Sequence, residues 1–193
     1  MNLKIKPAIV LTTLLTLSGI NAHAAPANTG VIHFTGEIIE PSCEIQGDSG
    51  PDSTVPLGTY PTSLFGSVGD ASDLTPFTIT LADCPVTSTG LPAIQLIFSG
   101  MTVLTGSTSM LDVSAISTDG TTAATGVGVV VSPDGEDDQH LTFDNAEGQV
   151  YINLPTLAGD IIKQKFNARY QSFASTVTAG PADADMTVNV IYR

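Results

Sequence analysis

The sequence predicts an all-β sandwich, and three observations carry that prediction. Period-two alternation recurs in Phe77-Thr-Ile79-Thr-Leu81, Val127-Gly-Val129-Val-Val131, Val150-Tyr-Ile152-Asn-Leu154 and Val188-Asn-Val190-Ile-Tyr192. Such spacing puts alternate side chains on opposite faces of a strand. Turn clusters stand between the runs: Gly47-Asp-Ser-Gly-Pro-Asp52, Thr87-Ser-Thr-Gly90, Asp119-Gly120 and Pro133-Asp-Gly135. No stretch sustains a helical period with caps, and Ser63–Ala71 holds at most a short helical turn. Many short strands punctuated in this way pack as two sheets.

The N-terminus is a different kind of segment. Lys4 and Lys6 precede the largely apolar run Ala8–Leu17, and Ala22-His23-Ala24 comes after it as a small-x-small site. These are the three parts of a secretory signal peptide, residues 1–24. The apolar run is too short and too interrupted by Thr to span a membrane, and there is no second run of spanning length. Residues 25–40 form an N-terminal extension that opens on the small, polar Ala25–Thr29. No repeat or linker splits residues 31–193, and 41–193 read as one domain of a size suited to a single core.

Charge then removes whole classes of function. The 193 residues carry 6 Lys+Arg against 19 Asp+Glu, a net charge of −13. Removing residues 1–24 takes away two lysines and no acid, leaving 169 residues at −15. Such a chain has no basic surface with which to release counterions from nucleic acid or to dock on anionic lipid. Its four remaining basic residues, Lys163, Lys165, Arg169 and Arg193, all lie in the last 31 positions. Arg169 reads as a packing and surface-pairing residue.

Nothing in the motifs points to catalysis. His23 leaves with the signal peptide, and His33 and His140 stand without a second histidine at metal-ligand spacing. Asp134-Gly-Glu-Asp-Asp138 with His140 lacks the ligand spacing of a calcium loop and reads as a solvated turn. Gly-x-Ser-x-Gly, P-loop and dinucleotide fingerprints are missing from the sequence. The expectation is a non-enzyme without cofactor or metal. Cys43 and Cys84 are the two cysteines of an exported chain, so a disulfide is the default reading. Closing a loop of about 42 residues contributes roughly 4 kcal/mol in the chain-entropy model.

Several motifs in order carry a family resemblance. Gly30-Val-Ile-His-Phe-Thr-Gly36 runs into Glu-Ile-Ile-Glu-Pro-Ser-Cys43; Val55-Pro-Leu57-Gly58 comes next, then Phe77-x-Ile79-x-Leu81-x-x-Cys84. Near the end come Phe166-Asn-Ala168-Arg169-Tyr170 and Gly180-Pro-Ala182-Asp-Ala184-Asp185. Gly180 stands fourteenth from the end and Tyr192 is penultimate. With these motifs the sequence resembles the chaperone–usher pilins, the type 1 fimbrial major-subunit family, over about residues 30–193; Leu91–Leu154 matches only in pattern.

The resemblance implies an incomplete immunoglobulin-like β-sandwich that lacks its last strand and is completed by donor-strand exchange. An uncovered strand edge beside an apolar groove is an aggregation liability, relieved by accepting a strand from another chain. Parity suggests which residues take part. Gly30, Ile32, Phe34, Gly36 and Ile38 form one apolar set, while Val31, His33, Thr35, Glu37 and Ile39 form the other. The first set is the expected donor face, inserted into a neighbouring subunit. The competing reading, an ordinary first strand of its own sandwich, leaves the missing last strand unexplained. On the acceptor side, Met186, Val188, Val190 and Tyr192 share one parity and Thr187 and Asn189 the other. The apolar parity is expected to line the groove, with Gly180 and Arg193 belonging to the chaperone-recognised end of the chain.

By the same resemblance the partners are a periplasmic pilus chaperone, an outer-membrane usher and neighbouring pilin subunits in a homo- or heteropolymer. The destination is the cell-surface fimbrium, reached through the periplasm, with cell adhesion as its use and a host surface receptor met through the assembled pilus. The alternative is a minor or tip subunit that binds a receptor directly. Against it, the chain offers 6% aromatic residues and no Trp for stacking on sugars, and a two-domain adhesin needs a longer chain.

Overall fold

The β strands of the chain divide into two antiparallel sheets. The computed structural model describes residues 30–36, 38–40, 42–113 and 122–192. The segment expected to be a signal peptide, the Asp119-Gly120 turn signal and Arg193 fall outside them. Residues 1–35 and 36–193 form separate units. In the first, Gly30–Thr35 carry no regular secondary structure, and Val31, Ile32 and Phe34 are exposed.

The second unit holds β1 (Glu44–Gln46), β2 (Thr75–Ala82), β3 (Ala93–Gly100), β4 (Leu111–Asp112), β5 (Val127–Pro133), β6 (Val150–Asn153), β7 (Ile162–Ser172) and β8 (Met186–Tyr192). One sheet has the order β1-β2-β7-β5-β4 and the other β6-β3-β8. Among the described residues the one helical element is a 3-10 turn, Thr62–Leu64, which overlaps the start of the Ser63–Ala71 stretch.

All four alternating runs are strands, but β3, β5 and β7 depart from simple alternation, β7 where Phe166, Asn167 and Ala168 are buried in succession. β5 is buried on both faces over Val127–Ser132. Its outer side is covered at Gly128, where a side chain would run into Met110, and along its edge the chain returns, with Leu141 N donating to Val131 O at 2.8 Å. β3 has no polar-out rhythm either. Ile94, Leu96 and Phe98 face the core at 1% exposure or less, and Gln95 on the other face is also buried. Gln95 is satisfied there, since its Oε1 accepts from Gly148 N at 2.8 Å. β3 is the middle strand of its sheet, flanked by β6 and β8.

The two sheets meet through aromatic rings. Phe166 on β7 is fully buried, stacks on Phe77 of β2 at 5.5 Å and takes Phe98 of β3 edge-on at 5.8 Å. In register, Phe77 lies opposite Phe166. Such pairs add about 0.5–1.5 kcal/mol to the area they bury.

Cys43 and Cys84 are joined by a disulfide across 41 residues. It extends the β1–β2 pairing, in which Glu44 faces Ala82, and so fixes the short edge strand β1 to its sheet. Replacing both with Ser is expected to lower unfolding stability by roughly 4 kcal/mol. Urea unfolding of the exported protein measures this. A midpoint equal to that of the wild type would show that β1 needs no staple.

Candidate functional site

One flank of the sandwich is left open, and the burial pattern locates it. Among the described residues β8 is an end strand that pairs only with β3, and β1 is an end strand of the opposite sheet. Along β8, Thr187 and Asn189 are exposed while Met186, Val188, Val190 and Tyr192 are half-buried against the core. One parity of β8 thus faces solvent and the other faces the core. These residues are apolar, touch the core, and still retain accessible surface. Ile45, Leu57, Phe77 and Tyr60 show the same half-burial from the other sheet and the segment after β1. A flank of this kind, with the free edge of β8 beside apolar residues that one more strand would cover, fits β-strand addition.

Two hydroxyls close its ends. Cys43 N donates to the Tyr192 hydroxyl at 2.7 Å, joining positions 149 residues apart. The Tyr170 hydroxyl, on β7, donates to Ala182 O at 3.0 Å. Burial, with Asp183 and Tyr60 acting in the same direction, pushes the Tyr170 phenol above its ordinary range and keeps it a donor. Tyr170, Ala182 and Ala184 stand within the family motifs of the sequence, but nothing in those motifs gives them a place in the groove. The even parity of β8, extended backwards, reaches both alanines.

Gly180 lies ahead of β8 rather than on it. A Cβ there would fall inside contact distance of the backbone of Thr122, Ala123 and Ala124. Ala124 N donates to Pro181 O at 2.9 Å at this crossing. Two backbones approach closely at Gly180, which requires the absence of a side chain.

The expected donor residues lie in exposed chain. Ile32, Phe34 and Ile38 are 78%, 93% and 101% exposed, and a Cβ on Gly30 or Gly36 would meet nothing within 4 Å. An apolar segment this exposed marks an interaction surface.

The acidic turn 134–138 is mostly solvated, and Asn167 Nδ2 donates to Asp137 Oδ1 at 3.0 Å. Among the described residues no group of three His, Cys, Asp or Glu could hold a metal. Nearby, His140 Nε2 and Arg169 Nε are buried without a hydrogen-bond partner. Burial first and the Arg169 guanidinium second hold His140 below the ordinary imidazole range, against a weaker opposing pull from Asp138. A depressed folded pKa means that this stability is present above about pH 6.5, the unfolded histidine value, and is lost as pH falls through the folded value. His140→Gln is expected to flatten that acid limb, so the two proteins should converge in melting temperature between pH 7 and 5. Parallel curves would overturn this assignment.

Comparison with known proteins decides the family. The fimbrial protein family model matches residues 32–193. The chain belongs to the fimbrial protein family. This fimbrial chain is 36% identical over 190 residues to a type-1 fimbrial protein subunit of Serratia marcescens, covering 97% of this chain and 99% of that one. It is 33% identical to the type-1 fimbrial protein A chain of Escherichia coli K12 (99% and 100% covered). With long polar fimbria protein A of Salmonella typhimurium it shares 30% identity, with 100% of both chains covered. Among solved structures, the P pilus rod subunit PapA superposes with a TM-score of 0.60 at 22% identity, covering 79% of this chain and 99% of that one. A subunit of a chaperone–usher pilus gives 0.56 at 22% identity, with 89% and 100% covered. The fold is thus the incomplete immunoglobulin-like sandwich of pilus subunits. The fimbrial chain is a structural pilus subunit, exported and assembled on the cell surface.

Proposed function

We propose that this subunit polymerises by donor-strand exchange, with residues 30–38 of one copy laid along the free edge of β8 in the next. One observation carries the reading: a free strand edge over half-covered apolar residues coexists with an exposed apolar segment of matching period. Backbone hydrogen bonds along β8 would supply affinity, and alternate side chains dropping into the groove would supply specificity. Before assembly the same edge is held by a periplasmic chaperone, and an outer-membrane usher delivers the subunit to the fibre. In this reading the processed chain has the extension 25–40 as its exchanging part and 41–193 as its body, and it performs no catalysis. The fibre supports adhesion through its bulk rather than through a pocket in each subunit.

Unboiled gel ladders of surface fibres test the proposal. Chains deleted for residues 30–38 should be exported and folded yet form no ladder. Ladders as long as those of the wild type would sink it.

A further inference from the structure

The groove is tied shut at its two ends by tyrosine hydroxyls that belong to no strand ladder. At one end the Tyr192 hydroxyl, on the three-stranded sheet, accepts from Cys43 N beside β1 of the five-stranded sheet at 2.7 Å. At the other, Tyr170 on β7 of the five-stranded sheet reaches across to Ala182 O, just ahead of β8, at 3.0 Å. Tyr60 packs edge-on against Tyr170 at 6.2 Å and buttresses the second tie. Between the ties lie Ala184, Met186, Val188 and Val190, the half-buried apolar positions facing the groove. β1 and β8 are end strands, and no ladder joins them. At the Tyr192 end nothing but side-chain packing would otherwise hold the walls; at the Tyr170 end the chain ahead of β8 is also anchored by Ala124 N donating to Pro181 O at 2.9 Å.

We infer that Tyr192 and Tyr170 are positioning residues that fix the groove's width at its ends, and so exclude large donor side chains there. This rests on the donor-strand reading. The donor parity has glycine at two of its five positions, Gly30 and Gly36, with Ile32, Phe34 and Ile38 at the others. Glycines suit places where backbone must approach backbone closely. A narrow end in the acceptor would call for a small residue in the donor; Gly30 is the first of the five donor positions and Gly36 the fourth, with Ile38 beyond it.

The test uses the full mature chain, co-purified with its periplasmic chaperone, and synthetic peptides spanning residues 30–38. Three peptides are compared: native, Gly30→Leu and Gly36→Leu. Wild-type subunit should insert the native peptide and discriminate against at least one Leu peptide. Tyr192→Phe and Tyr170→Phe keep each ring and remove only the hydroxyl. Each should improve insertion of one Leu peptide relative to the native peptide by about fivefold, the factor one net hydrogen bond supplies. The pairing of tyrosine with glycine then reads out the direction of the donor. Cys43 amide exchange should also accelerate in Tyr192→Phe.

The outcomes are separable. Failure of the wild type to accept the native peptide overturns the donor-strand reading and the ties with it. Acceptance of the native peptide with unchanged ratios in both variants overturns the ties alone. So does a wild type that takes both Leu peptides as fast as the native one, a result that does not depend on how the variants fold.

Discussion

Phe166→Ala is expected to leave the subunit unable to hold its fold. The ring is fully buried and contacts an aromatic in each sheet, Phe77 at 5.5 Å and Phe98 at 5.8 Å. Removing a buried Phe costs about 3–5 kcal/mol in lost transfer energy and residual cavity. Whole domains have about 5–15 kcal/mol of stability, and this one leaves an apolar flank open, so its margin lies toward the low end. Phe77→Ala serves as the control. Its ring is stacked on the same partner but is half-buried at the flank. It gives up less on truncation, and the subunit should still fold. Circular dichroism and thermal unfolding of periplasmic protein compare the two. A melting temperature for Phe166→Ala within a few degrees of the wild type would show that the sheets are held together elsewhere.

The parts of this fold that are legible in sequence share a physical origin. β2, β6 and β8 each place one parity toward the core and the other toward water, so a period of two survives in their composition. β3 and the outer face of β5 are covered on both sides, and burial from both sides erases alternation. Ile94-Gln-Leu96-Ile-Phe98 carries β-branched and aromatic residues but no rhythm. β8 is readable for the same reason as β2. Its parity predicts which residues face the core, and the half-burial of Met186, Val188, Val190 and Tyr192 agrees with it. The tyrosine ties are not readable. Cys43 and Tyr192 are 149 residues apart, and only the crossing of the two sheets brings them within 2.7 Å. Gly180 illustrates a mixed case: its place fourteenth from the end is plain in sequence, but the backbone it makes room for, Thr122–Ala124, is far away along the chain.

The donor assignment makes the sharpest claim about single residues. Gly36→Trp should abolish polymerisation while leaving the subunit folded, and Thr35→Trp should not. A Cβ at Gly36 meets nothing within 4 Å, and Thr35 beside it is exposed as well, so neither indole has anything to displace in the unassembled subunit. The two positions differ only in the face they present once the segment is a strand. Position 36 shares its parity with Ile32, Phe34 and Ile38, whose exposed apolar surface is the reason to insert; position 35 shares its parity with Val31 and His33 and points away. An indole brings an apolar bulk of about 150–250 Å² into a groove matched to glycine. Overpacking of even a few methylenes costs about 1–3 kcal/mol, so a full Trp should slow exchange by roughly two orders of magnitude or more at about 1.4 kcal/mol per tenfold. Thr35→Trp leaves the groove face unchanged and should polymerise within about threefold of the wild type, since surface substitutions usually stay within about ±0.5 kcal/mol. Ladder formation from the purified variants, with melting temperatures measured on the same samples, separates assembly from folding. Equal ladders from Gly36→Trp and wild type would refute the parity. A ladder lost only in Thr35→Trp would mean that the segment inserts the opposite face, with Val31 and His33 toward the groove.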